Sequence, residues 1–319
     1  MATGNYVVGI DVGGQTTKLG VVDARGTVLA QTVIRTDTHA EVDLYISEVA
    51  EAVKKIIADA NAEGQVRGIG VGAPNGNYYT GTIENAPNLP WGRNTVEFAK
   101  LLSEAVGGLP VALTNDANAA AVGEMTYGAA RGMKNFIMIT LGTGVGSGIV
   151  INGEVVYGHD GFAGELGHTS AVRNNGRTCG CGKTGCLEAY ASATGVARTA
   201  REWLELSDEP SVLRSLDTIA SKDVYDAAKD GDKLALKIFE FTGKILGRSF
   251  ADFVAFSAPE AIVLFGGLAR AKEFLREPIE NAMNENLLAM WKGKVKIVFS
   301  QLKESDAAIL GASALAWEL

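Results

Sequence analysis

Three short apolar runs open the chain, at residues 6–10, 19–22 and 27–34, separated by the turns GGQT and DARG. This pattern predicts a meander of three antiparallel strands. Leu44, Val49, Val53, Ile56 and Ile57 then recur at roughly helical spacing, which predicts a helix over 41–63. VRGIGVGA reads as a buried strand, and residues 75–92, rich in Asn, Gly and Pro, as a loop or hairpin. A helix near 95–106 leads to the strand PVALTND and to a helix over 117–127.

The opening pattern then returns. FIMITLGTGVGSGIVINGEVV is again strand, glycine turn, strand, tight turn, strand, and a shift of 128 positions sets Gly14 on Gly142 and Gly20 on Gly148. Two meanders, each followed by helices, predict a duplicated α/β domain with a cleft between the halves. A long helix near 234–256 precedes EAIVLFGGLARA, a strand ending in Gly266-Gly267. VKIVFS is a last strand, and a helix over 307–317 packs back on the first half.

Composition narrows the class. The 319 residues suit two domains; the 47% apolar and 21% charged shares are those of a globular protein. The formal charge of −8 gives no bulk attraction for nucleic acid or an anionic membrane. The apolar runs are too short to span a bilayer, and MATGNYVVGID lacks the pattern of a signal peptide. The expectation is a soluble cytoplasmic protein. Three cysteines in a reducing compartment argue against a disulfide framework.

Candidate chemistry gathers in the turns. DVGGQTTK, LGTGVGSG and LFGGLA each follow an apolar strand. Glycine lets backbone N–H groups approach phosphate oxygens; the alternative is that these are only hairpin glycines. The candidate phosphate cradle comprises Gly13, Gly14, Gly142, Thr143, Gly144, Gly266 and Gly267, with donors from Thr16, Thr17 and Lys18, while Asp11 is placed to hold hydrated Mg²⁺. The P-loop and dinucleotide signatures are both missing. In TNDANAA, Asn115 and Asp116 join a strand to a helix. Both suit a helix N-cap; the functional alternative makes Asp116 the general base for an alcohol.

All three cysteines lie between 179 and 186, as C-x-C-x₄-C, and His168 precedes Cys179 by eleven positions. Three thiolates and one imidazole are a tetrahedral zinc set. A Cys179–Cys181 disulfide would be strained and leave an odd cysteine. His159 competes with His168 as fourth ligand, but His168 is nearer and sits in the more polar stretch.

These motifs resemble those of the ROK sugar kinases and repressors, of the actin-like ATPase (ribonuclease H-like) fold, and lie closest to the bacterial glucokinase branch. GIDVGGQTTKLG, GVGAPN, NAPNLPW, NDANAA, LGTGVGSGIV, GFAGELGH, CGCGKTGCLEAYAS and IVLFGGLA follow in that family's order over nearly the whole chain. The resemblance implies a smaller domain of residues 1–115 plus about 303–319, and a larger one of 116–302 carrying the zinc loop. It implies that Asp116 is the catalytic base and that Asn115, Glu165, His168 and Glu188 hold sugar hydroxyls, with Asn88 and Gly72 lining the same pocket. Its cofactors are ATP, Mg²⁺ and structural Zn²⁺; its reaction is transfer of the γ-phosphoryl to the 6-hydroxyl of glucose; its assembly is a dimer or tetramer. One position departs from the family: Gln15 stands where Thr is usual. Rivals on the same scaffold are kinases for N-acetylmannosamine, N-acetylglucosamine or fructose, and use of polyphosphate as donor. A rival of another class is a sugar-responsive regulator, which carries an added DNA-reading domain; only five residues precede the first strand here.

Overall fold

The computed structural model describes residues 4–319. Two compact units partition the chain. One comprises Met1–Met133, Val155–Gly164 and Gln301–Leu319, the other Lys134–Glu154 and Glu165–Ser300.

The first unit begins with the expected meander. Strands β1 (Tyr6–Val12), β2 (Thr16–Asp23) and β3 (Val28–Arg35) pair antiparallel, and helix α1 (Val42–Asp59) follows. Strand β4 (Val66–Ala73) runs parallel to β1. The 75–92 segment holds a small hairpin of β5 (Gly76–Asn77) and β6 (Thr82–Ile83), before helix α2 (Phe98–Ala105), strand β7 (Val111–Asn115) and helix α3 (Asp116–Thr126). The sheet order is β3-β2-β1-β4-β7. Helix α1 stops at Ala60, short of the expected 63, because Asn61 and Gly64 take positive φ. Its apolar stripe also turns slightly from the expected one: Leu44 is 59% exposed, whereas Tyr45 and Ile46 are buried.

The second unit repeats this order. Strands β8 (Phe136–Leu141), β9 (Val145–Ile151) and β10 (Glu154–Val155) form the second meander, β10 straddling the boundary between the units. Helices α4 (Glu188–Ala191), α5 (Ala193–Leu206), α6 (Ser221–Lys229) and α7 (Lys233–Ser257) lead to strand β11 (Ala261–Phe265), helix α8 (Lys272–Asn286) and strand β12 (Lys296–Phe299). The order β10-β9-β8-β11-β12 matches the first sheet strand for strand. This duplication is the actin-like ATPase fold. The match slips by one in register: Gly9 faces Gly20, but Met138, not Ile137, faces Gly148. The first turn holds one more residue between its last paired positions, Val12 and Thr17, than lies between Leu141 and Val145.

Helix α9 (Glu304–Leu315) returns to the first unit, as expected. Its backbone rests on that sheet. A Cβ at Gly9 or Gly70 would lie 2.1 Å from the Ile309 carbonyl and 1.9 Å from that of Ala312, so both positions require glycine. Beside it on the same sheet face lies α3, with Ala119 over Gly72, and the two helices pack through Ala119, Val122, Ala314 and Leu315. This packing carries α3 into the first unit, where the expected boundary at 115/116 had placed it in the second. Each unit has its own core, Val8, Ile10, Tyr45 and Leu113 in the first and Ile137, Phe239, Phe250 and Ile262 in the second. Among the described residues no helix is long and apolar enough to cross a membrane.

Candidate functional site

Within the first unit, strand pairing brings the candidate residues to one sheet edge. Asp11, near the end of β1, is in register with Gly72 of β4, and Gly72 with Thr114 of β7. Asn115 and Asp116 follow directly. Parallel strands end at the same edge, which is where this class of fold mounts its chemistry. Asn115 is the N-cap of α3: its Oδ1 accepts from the N–H groups of Ala117 (2.7 Å) and Asn118 (3.2 Å). Its amide NH₂ is the part left to meet a ligand. Asp116 opens the helix, and its Oδ1 accepts from the Ala117 N–H at 2.8 Å. Asp116 itself is exposed, yet protein packed beneath the carboxyl raises its pKa, against the lowering effect of the Ala117 N–H.

Burial, and then the charge of Asp116, lift the Asp11 carboxyl to about 6, while Lys18 pulls it down. Lys18 faces Asp11 across the β1–β2 pair. The turn between these strands is closed by the Gly13 N–H on the Thr16 carbonyl at 3.0 Å. Gly13, Gly14 and Thr16 are half-buried there, and Gln15 is exposed. Thr17 departs from the expected phosphate contact. It is fully buried, and its hydroxyl is bonded to Thr36 (2.8 Å) and Tyr45 (2.5 Å). Neighbouring residues of a strand face opposite ways, so Thr17 turns inward while Thr16 and Lys18 turn outward. Asn88 lies exposed on the loop 86–92, which the Ala86 N–H closes on the Gly92 carbonyl at 2.7 Å.

Within the second unit the glycine turn and the cysteine loop meet. The Gly142 N–H bonds to the Gly144 carbonyl, the Gly142 carbonyl takes the Ala193 N–H, and the Thr143 carbonyl takes the Thr194 hydroxyl. Glu188 joins the two segments: Oε2 accepts from the Val145 N–H at 2.9 Å, and Oε1 from the Cys179 thiol at 3.5 Å. The sequence had suggested only a sugar contact for this carboxylate. A cavity of about 220 Å³ lies beside this junction, lined by Thr143, Cys179, Glu188, Ser192, Thr194 and Arg198. Gly266 and Gly267 follow β11 as expected, with Gly267 opening a 3₁₀ turn.

His168, Cys179, Cys181 and Cys186 present ligand atoms that all lie within 4.8 Å of one another. Cys181 and Cys186 sulfurs are 3.7 Å apart, and the Cys179 sulfur is 3.8 Å from His168 Nδ1. A tetrahedron of ~2.3 Å metal–sulfur bonds has edges of about 3.8 Å, so the donor set fits zinc. His159 is exposed and stands outside this group. With Nδ1 toward the sulfurs, His168 turns Nε2 toward Glu165, 3.9 Å from its Oε2. The loop is built on Arg177, which the sequence alone did not single out. Its N–H donates to the Tyr190 hydroxyl, its guanidinium lies 4.6 Å over the Tyr190 ring, and it pairs with Glu202. Its place two residues before Cys179 was the available signal.

The sequence model of the ROK family matches residues 7–318. The glucokinase of Halalkalibacterium halodurans is 39% identical over 280 residues, 86% of this chain and 84% of that one. The glucokinase of Thermotoga maritima is 34% identical over 97% of this chain and 96% of that one. A ROK family glucokinase from Streptomyces griseus, solved in complex with glucose and AMPPNP, is 32% identical and superposes with a TM-score of 0.79 over 98% of this chain and all of that one. With a family match spanning both glycine turns, the Asn115-Asp116 junction and the cysteine loop, this chain belongs to the ROK family.

Proposed function

We propose that the chain is a hexokinase-type phosphotransferase, a glucokinase that transfers the γ-phosphoryl of ATP to the 6-hydroxyl of glucose. The observation that carries this reading is Asp116, a carboxylate of raised pKa held at the sheet edge near Asp11, which in turn faces Lys18. The likeness to three glucokinases, one solved with glucose and AMPPNP, supports the choice of sugar and donor.

Asp116 is mounted on the first turn of a capped helix, so its position is fixed. It accepts the proton of the attacking hydroxyl. Burial raises its pKa, which strengthens it as a proton acceptor. Lys18 and the backbone N–H groups of the turns after β1 and β8 meet the phosphates. Phosphoryl transfer asks mainly for such positioning and charge stabilisation. Asp11 would hold Mg²⁺: two neighbouring carboxylates, one with its proton affinity raised by the other, are a donor set that favours a cation. Mg²⁺ supplies neutralisation of charge on the terminal phosphates. Asn115, Glu165 and His168 are assigned to the sugar hydroxyls; Glu188 has the added task of tying the glycine turn to the cysteine loop.

His168, Cys179, Cys181 and Cys186 would hold a structural zinc, with no coordination position left for water. ATP as donor sets the compartment as the cytoplasm, and assembly into dimers or tetramers belongs to the same reading, checked by light scattering.

The test is a coupled assay of glucose, fructose, N-acetylglucosamine and N-acetylmannosamine, each with ATP and with polyphosphate. Glucose with ATP should give the highest kcat/KM. Faster turnover of another sugar, or of polyphosphate, would replace the substrate named here. Sequence-specific retention of DNA without turnover of any sugar would favour the regulator class.

A further inference from the structure

Tyr45 is one of the largest side chains fully buried in the protein, and it belongs to none of the motifs. A buried tyrosine needs a partner for its hydroxyl, because an unpaired polar atom inside is costly. Its partner is Thr17, at 2.5 Å, in the strand that leaves the first glycine turn. Thr17 in turn meets Thr36 at 2.8 Å, and the Thr36 N–H donates to the Gln15 carbonyl at 2.9 Å. The turn is therefore gripped at two points, Gln15 and Thr17, by groups lying under it. Fixing Thr17 also fixes its neighbour Lys18, which faces Asp11.

The ring of Tyr45 performs a second task. It packs 5.0 Å from the Trp91 ring at a tilt of 31°, and Trp91 stacks on Phe98 at 6.0 Å. Trp91 closes the loop that carries Asn88. On the upper side that loop touches the turn itself: a Cβ on Gly14 would lie 2.9 Å from the Asn88 carbonyl. Turn and loop thus meet above and share one support below.

We infer that Tyr45 is a positioning residue for both segments, its hydroxyl setting the phosphate turn through Thr17 and its ring setting the Asn88 loop through Trp91. The inference rests on the reading of these segments as nucleotide- and sugar-facing. Simple core packing does not account for the hydroxyl, since phenylalanine fills nearly the same space.

Three measurements test it, on the full chain. Amide exchange is followed at residues 13–18 and 86–92, and Mg·AMPPNP and glucose are each titrated calorimetrically. Tyr45→Phe should speed exchange at 13–18 alone, weaken AMPPNP about threefold to tenfold, the worth of one hydrogen bond, and leave glucose unchanged. Tyr45→Leu should also speed exchange at 86–92 and weaken glucose. Adding Tyr45→Phe to Thr17→Val should cost less than Tyr45→Phe costs alone, because Thr17→Val has already removed the bond the two residues share. Wild-type exchange and AMPPNP affinity in Tyr45→Phe, or additive losses in the double variant, would overturn the inference, and Tyr45→Phe decides the hydroxyl's role even where Tyr45→Leu fails to fold. A wild-type protein that binds neither ligand would sink the glucokinase reading instead, while exchange at 13–18 would still judge the grip of Tyr45 on the turn.

Discussion

Asp11 and Asp116 stand at one edge of one sheet with only Gly72 of β4 between their strands, and the charge of Asp116 adds to burial in raising the Asp11 carboxyl to about 6. The two acids are therefore not independent. In the proposed reading one takes a proton from the sugar and the other holds a cation, and the charge of the first makes the second hungrier for positive charge.

Asp116→Asn should lower kcat by ~10²–10⁴-fold, the usual contribution of a general base. Asparagine keeps the shape and can still accept from the Ala117 N–H, so glucose affinity should persist. Steady-state kinetics with a glucose titration checks this. Near-native turnover in the variant would remove Asp116 from the mechanism.

The same pair gives a pH signature in the metal-free protein. The folded pKa of Asp11, about 6, lies above the ordinary aspartate value of 3.8, so the folded state holds its proton where the unfolded state has lost it. Stability should fall as pH rises through about 4 to 6. Asp11→Asn removes this effect and should raise stability at pH 7.5 by about 3 kcal/mol at most, with the gain fading toward pH 4. Thermal unfolding across this range measures it. A variant of equal stability at both pH values would show that Asp11 ionises without penalty.

Loss of the cysteine loop should be felt at the sugar. Cys181→Ser, or chelation of the zinc proposed there, should release His168, whose Nε2 faces Glu165, and loosen the cluster that Cys179 shares with Glu188. Glucose binding should weaken well beyond ATP binding. Metal content by mass spectrometry, with calorimetry for both ligands, decides the matter. A folded, zinc-free protein with full glucose affinity would leave the loop without a part in the sugar site.

Gln15→Thr should change the KM for ATP more than the KM for glucose. Gln15 is exposed at the tip of the first turn, and its carbonyl, not its side chain, is held by Thr36. The substitution leaves that grip intact. A shift confined to glucose would misplace this turn.

Much of this was legible in the chain because the chemistry is local. Glycines after apolar runs marked the turns, and three cysteines within eight positions marked the cluster that could hold a metal. The duplicated topology followed from two similar meanders. Other features depended on partners far away in sequence. Thr17 looked like Thr16 until pairing with Tyr45, 28 residues on, showed which way it faces. Glu188 shares its carboxylate with a turn 43 residues earlier. The domain boundary was misplaced for a like reason: α3 is held by α9, and only packing reveals that partner.

The seat of α9 on Gly9 and Gly70 also sets an order of events during synthesis. All of the second unit is made, as residues 134–154 and 165–300, before the segment that covers the first sheet exists. At ~5–20 residues per second, the ribosome takes roughly ten to forty seconds to get from residue 133 to α9. Throughout that interval the first sheet has strands, turns and α3, but the face that carries α3 still lacks α9. The part of the protein that begins first is thus completed last, and it is this waiting face, with Val7, Val22 and Ala119 uncovered, that a chaperone would meet on the nascent chain.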